Sequence, residues 1–270
     1  MTGKPTSAMP GIDLSRGTLR GLPFRAVRAI LIIVLAPLLR LKIEGLNHVP
    51  RSGPVIVVGN HLHNADPVLV SIAFPRPLHF MAKKELFAVP VIGWLIRRVG
   101  AFPIDRGTAD RAAIRRAEMT LTQEIAVGIF PEGTRSTTGS LRQAYPGASL
   151  LALRSGVPIL PFTITGSERL PLNGTRARTE ASAQHQRQSG VHIRFGAPFT
   201  LERELEGHKQ SAAQATDIMM ATIATMLPPE YRGAYTGLVS SPPDGSHESP
   251  TTVSSLDPRS SVPAELPDGR

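Results

Sequence analysis

Residues 54–60 read Pro-Val-Ile-Val-Val-Gly-Asn, and residues 61–67 continue His-Leu-His-Asn-Ala-Asp-Pro. The first stretch is a short β-branched run bounded by Gly53-Pro54, which predicts a buried strand. The second puts His61 and His63 within reach of Asp66, just where that strand must end. In an open α/β sheet, ligands usually meet the carboxyl ends of strands. The fold and the chemistry therefore depend on whether the rest of the chain builds such a sheet.

Moving outward, the pattern alternates. Leu-His-Phe-Met-Ala-Lys (78–83) and Ala-Phe-Pro-Ile-Asp (101–105) are further strand candidates. A helix is predicted over 108–125, with Ile114, Ala117, Leu121 and Ile125 at helical spacing and Arg111, Arg115 and Arg116 off that stripe. Strand 126–130, helix 147–155, strand 157–165, strand 191–196 and a helix over about 208–226 follow. Strands separated by helix-length segments predict an α/β fold, a mixed, largely parallel sheet flanked by helices. Pro158 and Pro161 offer no N–H to a ladder, so strand 157–165 is expected at a sheet edge or with irregular pairing.

Charge bounds the partners. The net charge of +9 is carried by residues 1–52 (eight Lys/Arg, two acids) and 53–232 (20 against 14), while 233–270 is acidic. A basic front end fits an anionic partner: nucleic acid, a phospholipid surface or a phosphorylated substrate. Aromatics make up 5% and are not interleaved with Arg or Lys, so base stacking, and with it nucleic acid, is not expected. Cysteine is absent, which excludes disulfides, zinc–thiolate sites and a cysteine nucleophile.

The N-terminal part carries an apolar run from Ala29 to Leu39, with Arg25 and Arg28 before it and Arg40 and Lys42 after. Such a run is shorter than the about 20 residues a membrane-crossing helix needs, and no small-residue cleavage site follows it. Two readings stay open on these residues alone: a helix buried in the protein, or one lying in a membrane interface with its cations snorkelling to phosphates. Residues 1–22 read as a flexible N-terminus. Residues 233–270, rich in Ser and Pro and poor in large apolar residues, read as a disordered tail.

A hydroxyl nucleophile near neutral pH needs a base, and imidazole suits that task when a carboxylate holds its other nitrogen. On a regular helix His63 and Asp66 are i, i+3 neighbours, whereas His61 and Asp66 lie about 140° apart, so spacing favours His63. If Asn60 or Asn64 caps a helix that starts after the strand, His61 occupies the turn and its ring can fold back towards Asp66. Neither arrangement is decided by spacing.

Asn60-His61-x-x-x-x-Asp66 resembles the first motif of the glycerolipid acyltransferases, the 1-acylglycerol-3-phosphate acyltransferase family. Gly-Ala-Phe-Pro-Ile-Asp-Arg (100–106), Phe-Pro-Glu-Gly-Thr-Arg-Ser (130–136) and Val-Pro-Ile-Leu-Pro (157–161) follow in family order, and 81–100 looks like the segment that joins the first two. The resemblance runs from about residue 24 to 230. It implies that His61 is the general base and Asp66 orients it, with Asn60 auxiliary and His63 in a variable position. It further implies that Arg106, Glu132, Gly133, Thr134 and Arg135 bind a phosphorylated acceptor, Arg because its fork suits phosphate, and that Lys83 adds positive potential. Glu132 can bond a second hydroxyl or hold the turn.

The implied reaction moves a fatty acyl group from acyl-CoA or acyl carrier protein to the free hydroxyl of lysophosphatidate, giving phosphatidate. The thioester is already activated, so no cofactor and no metal are expected; His61, Asp66 and Glu132 match no metal-ligand spacing. With a lipid acceptor, residues 23–50 are read as a membrane-associating helical segment that binds phospholipids at the cytoplasmic face, and 51–232 as the acyltransferase domain. Trp94 beside Arg97 and Arg98 is a candidate second contact. Tyr145 stands where the family commonly has Lys, which opens other acceptors: another lysophospholipid, glycerol 3-phosphate, a glycolipid precursor or an acylated amino acid. A non-catalytic membrane scaffold is the alternative of a different class. A hydrolytic triad is disfavoured because no Gly-x-Ser-x-Gly elbow is present.

Overall fold

In the computed structural model, β2 (Ile56–Gly59) is buried along its whole length, as its β-branched run requires. The structure describes residues 24–83, 88, 102–104, 111–171, 190–202, 204–205 and 208–239. The expectations for residues 1–22, for Trp94 and for Arg106 lie outside these. All described residues belong to the first of two units, Met1–Val239.

The chain runs α1 (Phe24–Leu39), β1 (Lys42–Glu44), β2, α2 (Asp66–Ala73), β3 (Leu78–Lys83), β4 (Phe102–Ile104), α3 (Arg111–Thr122), β5 (Ala126–Ile129), α4 (Gly147–Ser155), β6 (Ile159–Thr165), β7 (His192–Phe195), the two-residue strands β8 (Glu204–Leu205) and β9 (His208–Lys209), and α5 (Ala212–Thr225). The main sheet has seven strands in the order β1-β7-β6-β2-β5-β3-β4. Every neighbouring pair is parallel except β6 with β7. The mixed, largely parallel α/β class expected from the alternation is the class observed.

Alternation along β2 divides the core between the two faces of the sheet. Ile56 and Val58 pack with Leu121 of α3, Leu151 of α4 and Met219 and Ile223 of α5. Val57 packs the other way, with Leu69 and Val70 of α2 and with Phe74. Each such side chain removed from water contributes about 1.5–3 kcal/mol.

Strand β6 corrects one expectation and meets its alternative. It is not at an edge: β2 flanks it on one side and β7 on the other. Pairing with β7 is irregular, however, because Phe162 faces Phe195 whereas Ile159 faces Phe199, so the partner chain carries an extra residue. Pro161 lies in that irregular stretch. Its carbonyl accepts from Gly196 N–H (2.8 Å) just past the end of β7, where its lacking N–H breaks no regular ladder.

Two boundaries shift. The segment 23–50 is not helical throughout: α1 ends at Leu39, Arg40 takes a left-handed φ of 46°, and Lys42 N–H already bonds Val191 O (2.9 Å) as β1 joins the sheet beside β7. At the other end, Gly233–Leu238 forms a 3-10 helix with Tyr235 buried, so the ordered chain passes Gly233, the expected start of a disordered tail. The large aromatic, buried against α5 and the loop before α4, outweighs the small-residue composition around it.

Along α1, Arg28, Ile32, Leu35, Ala36 and Leu39 face inward at helical spacing, while Ile30, Leu31, Ile33, Val34 and Leu38 are exposed. Arg28 fixes the helix to the body: Nε donates to Phe74 O and Nη2 to Ala73 O, both at 2.9 Å, at the carboxyl end of α2. Among the described residues no helix is long and apolar enough to cross a membrane.

Candidate active site

The sheet register brings the two motif loops together. β2 and β5 are parallel neighbours with Val58 opposite Ile129, so the third residues beyond them, His61 and Glu132, leave the same sheet edge side by side. The turn holding them has its own logic. The helix begins only at Asp66, with Ala65 as N-cap and no side-chain cap bond, so neither Asn60 nor Asn64 serves as the expected cap. Asp66 itself closes the turn: one oxygen, Oδ2, accepts from the N–H of Leu62 and of His63, both at 2.6 Å. The helix N-terminus also favours its negative charge.

That same Oδ2 meets His61 Nδ1 at 2.9 Å. Because a carboxylate only accepts, the proton lies on Nδ1 and the lone pair of the neutral ring on Nε2, the arrangement a general base needs. The imidazole is buried and stacks on Phe130, ring centroids 4.1 Å apart and 18° from parallel. Phe80 continues that stack at 5.1 Å.

His63 is arranged differently. Its backbone, not its ring, bonds Asp66, and its Nδ1 accepts from Ala65 N–H (3.0 Å). Burial pushes its imidazole below the ordinary value, against the raising effect of the Asp66 charge. Helical spacing pointed to His63; the structure puts both histidines before the helix, where that spacing has no force.

The Phe-Pro-Glu-Gly-Thr-Arg-Ser loop grips His61 from the other side. Glu132 is 2% exposed; Oε1 accepts from His61 N–H (3.0 Å) and Oε2 from Arg142 N–H (2.9 Å). Burial raises its carboxyl to about 7, opposed by the two N–H donors. Ser136 N–H donates to His61 O (2.7 Å), so both backbone polar groups of His61 are tied to this loop. Of the two roles open to Glu132 in sequence, its contacts are those of holding the turn.

Gly133 has φ 67°, and a Cβ there would lie 3.0 Å from the Tyr145 ring. Thr134 is exposed and Arg135 half-buried; the Arg135 charge is felt at the His63 ring. Asn60 faces away from this cluster: its amide donates to Ile164 O and accepts from Ile164 N–H, both at 2.8 Å. It satisfies β6 backbone groups that β2, ending at Gly59, no longer reaches. Lys83 ends β3 at the same sheet edge. Among the described residues no group of His and carboxylates is clustered for a metal ion.

Three contributors were not singled out from sequence: Phe130 under the ring, Ser136 on the His61 carbonyl, and the Arg142 backbone on Glu132. Phe130 and Ser136 flank the Pro-Glu-Gly-Thr-Arg motif, and that position was their only signal. A further one, Tyr235, supports the loop from far along the chain, its hydroxyl accepting from Ala144 N–H (2.9 Å).

A histidine whose Nδ1 is held by a buried aspartate, at the carboxyl edge of an α/β sheet and beside an Arg-bearing turn, is an arrangement chemically able to activate a hydroxyl. Residues 40–165, the part of the chain that carries the site, match the family model described as Acyltransferase. Similar proteins include the chloroplastic 1-acyl-sn-glycerol-3-phosphate acyltransferase LPAT1 of Arabidopsis thaliana, 30% identical over 146 residues (53% of this chain, 41% of the relative). The human 1-acyl-sn-glycerol-3-phosphate acyltransferase alpha is 32% identical over 149 residues (54% and 53%). The chain spans about half the length of the curated relatives it matches. Its fold resembles the crystal structure of the 1-acyl-sn-glycerophosphate (LPA) acyltransferase PlsC from Thermotoga maritima, with TM-score 0.52 and 20% identity over 79% of this chain and 87% of that one.

Proposed function

We propose that this protein transfers a fatty acyl group from acyl-CoA or acyl carrier protein to the free hydroxyl of 1-acylglycerol 3-phosphate, giving phosphatidate. The single observation that carries the reading is the His61 Nδ1–Asp66 Oδ2 contact, which leaves Nε2 as the base. Nε2 takes the hydroxyl proton as the oxygen attacks the thioester carbonyl; the tetrahedral adduct collapses, the C–S bond breaks, and the imidazolium returns the proton to the thiolate. Asp66 stabilises the transient imidazolium. Arg135 and Arg106 are assigned to the acceptor phosphate, with Gly133, Thr134 and Lys83 around them. The activated donor needs no resident cofactor or metal.

Support for a membrane-bound acceptor comes from α1, whose outward face is apolar and flanked by Arg40 and Lys42. In this reading the protein works at the cytoplasmic face of a membrane, held peripherally by phospholipids. One observation favours a second acceptor within the same chemistry: Tyr145, 68% exposed, lies over Gly133 where a cation is usual in the family. A lysophospholipid or glycolipid precursor is the candidate there.

The test is transfer of labelled acyl groups from both donors to an acceptor panel, with His61→Ala and His63→Ala in parallel. Loss of about 10²–10⁴-fold is expected in His61→Ala, with His63→Ala keeping most of its activity. Full activity in His61→Ala, or equal collapse in both, overturns the assignment.

A further inference from the structure

Glu132 is the one acid of the site whose two oxygens both bind main chain, and the two groups it joins come from different loops: His61, after β2, and Arg142, before α4. Neither donor can be replaced by a side-chain change, and neither is substrate. A carboxylate satisfies this geometry best, because it presents a strong acceptor to each N–H. In a protonated carboxyl the hydroxyl oxygen is a much weaker acceptor than a carboxylate oxygen, and in an amide of the same shape the NH2 accepts nothing and would point a hydrogen at an N–H hydrogen. In a buried site that unmade bond costs about 1–3 kcal/mol, enough to let the His61 backbone move. The Nδ1–Asp66 contact, and with it the direction of Nε2, depends on that backbone.

We infer that Glu132 is a positioning residue whose carboxylate clamps the His61 backbone to the Arg142 loop and thereby aims the imidazole, instead of being a ligand for the acceptor. The inference rests on the acyl-transfer reading of the site. Ionisation of Glu132 then becomes a condition for activity separate from neutrality of His61. Its carboxyl, raised to about 7 by burial, titrates where that condition shows. The charged and titratable groups that bear on it are the Arg142 cation and the Asp66 carboxylate, with His61 bonded through its N–H and the Tyr235 hydroxyl on the far side.

Two required deprotonations give log(kcat/KM) a limiting acid-side slope of about two, where a base alone gives about one. The experiment measures that slope for the full-length protein with an acyl-CoA and 1-acylglycerol 3-phosphate, in wild type and in Glu132→Gln. Expected are a slope of two in wild type, and in the variant a slope of one with kcat lower by about 100-fold at pH 8 and acceptor KM little changed. A wild-type slope of one, or a variant that loses acceptor affinity while keeping kcat, overturns the inference. If Glu132→Gln does not fold, the wild-type slope still decides. If wild type transfers no acyl group, the functional reading fails by itself, and the downfield proton resonance of His61 Nδ1–H, identified by its loss in His61→Ala, decides the clamp: it disappears from wild type as the pH falls below about 7, and its persistence there overturns the proposal.

Discussion

At Gly133 the backbone is left-handed, φ 67°, in the turn that carries Glu132 and Arg135. A side chain there adds the left-handed penalty of about 1–2 kcal/mol, and the Tyr145 ring must also shift from a Cβ at 3.0 Å. Gly133→Ala is therefore expected to lower the thermal midpoint and to reduce activity more than stability, since the turn also holds Ser136 against His61. Paired melting and turnover measurements check this. Glu132 makes a second prediction. Its folded value, about 7, lies above its ordinary value of 4.5; between these the native state holds a proton that the unfolded chain gives up. Stability is fully present below about 4.5 and is lost as pH rises through about 7. Wild type should thus lose stability relative to Glu132→Gln from pH 5 to 8, read by denaturant melts at each pH; parallel curves would disprove the assignment. Of this site, the motif residues could be read from the sequence but not their bonds. The choice between His61 and His63 depended on where α2 starts, and that is set by Asp66 folding back on two backbone N–H groups, a contact invisible in spacing.

Among the elements, α1 exposes Ile30, Leu31, Ile33, Val34 and Leu38. Ile33 and Leu38 are 71% and 74% exposed, and among the described residues Arg28 ties the helix to α2 by side-chain bonds to carbonyls. Replacing Ile33, Val34 and Leu38 by Asn is expected to lower pelleting with anionic vesicles by more than about tenfold, since each apolar side chain contributes about 1.5–3 kcal/mol on burial, while the melting midpoint stays put. Unchanged pelleting, there or after deletion of residues 1–44, would remove α1 from membrane binding. Helices and strands with strong periodicity were legible to within a few residues: 147–155 and 78–83 agree with α4 and β3. The helix expected over 208–226 starts late because His208–Lys209 pairs as β9. A capping box, Ser211 with Gln214, marks the true start. β1 went unseen because three residues carry no period, and its pairing with β7 comes from far along the chain.

For the molecule as a whole, alternation gave the layer class, whereas strand order was not readable: long-range pairing of β2 between β5 and β6 leaves no local mark. That order is what sets His61 beside Glu132. The same holds for Tyr235, whose hydroxyl serves Ala144 and whose neighbours Tyr231 and Ala234 bond Leu141 on both sides (2.8 and 3.0 Å). Tyr235→Phe leaves the Ala144 N–H without its acceptor, for an expected loss of about 1–3 kcal/mol and faster hydrogen exchange at Ala144. Exchange unchanged from wild type would show the strut to be unimportant.

The position of that strut in the chain has a consequence for biogenesis. Polypeptides leave the ribosome amino end first, so α1 emerges with its apolar face open long before Tyr235 has been made. A nascent chain can thus reach a bilayer while the loop bearing Glu132 still has nothing behind it. If α1 binds lipid as proposed, delivery to the surface comes before the chemistry is switched on, and a half-made chain is held there without a finished site.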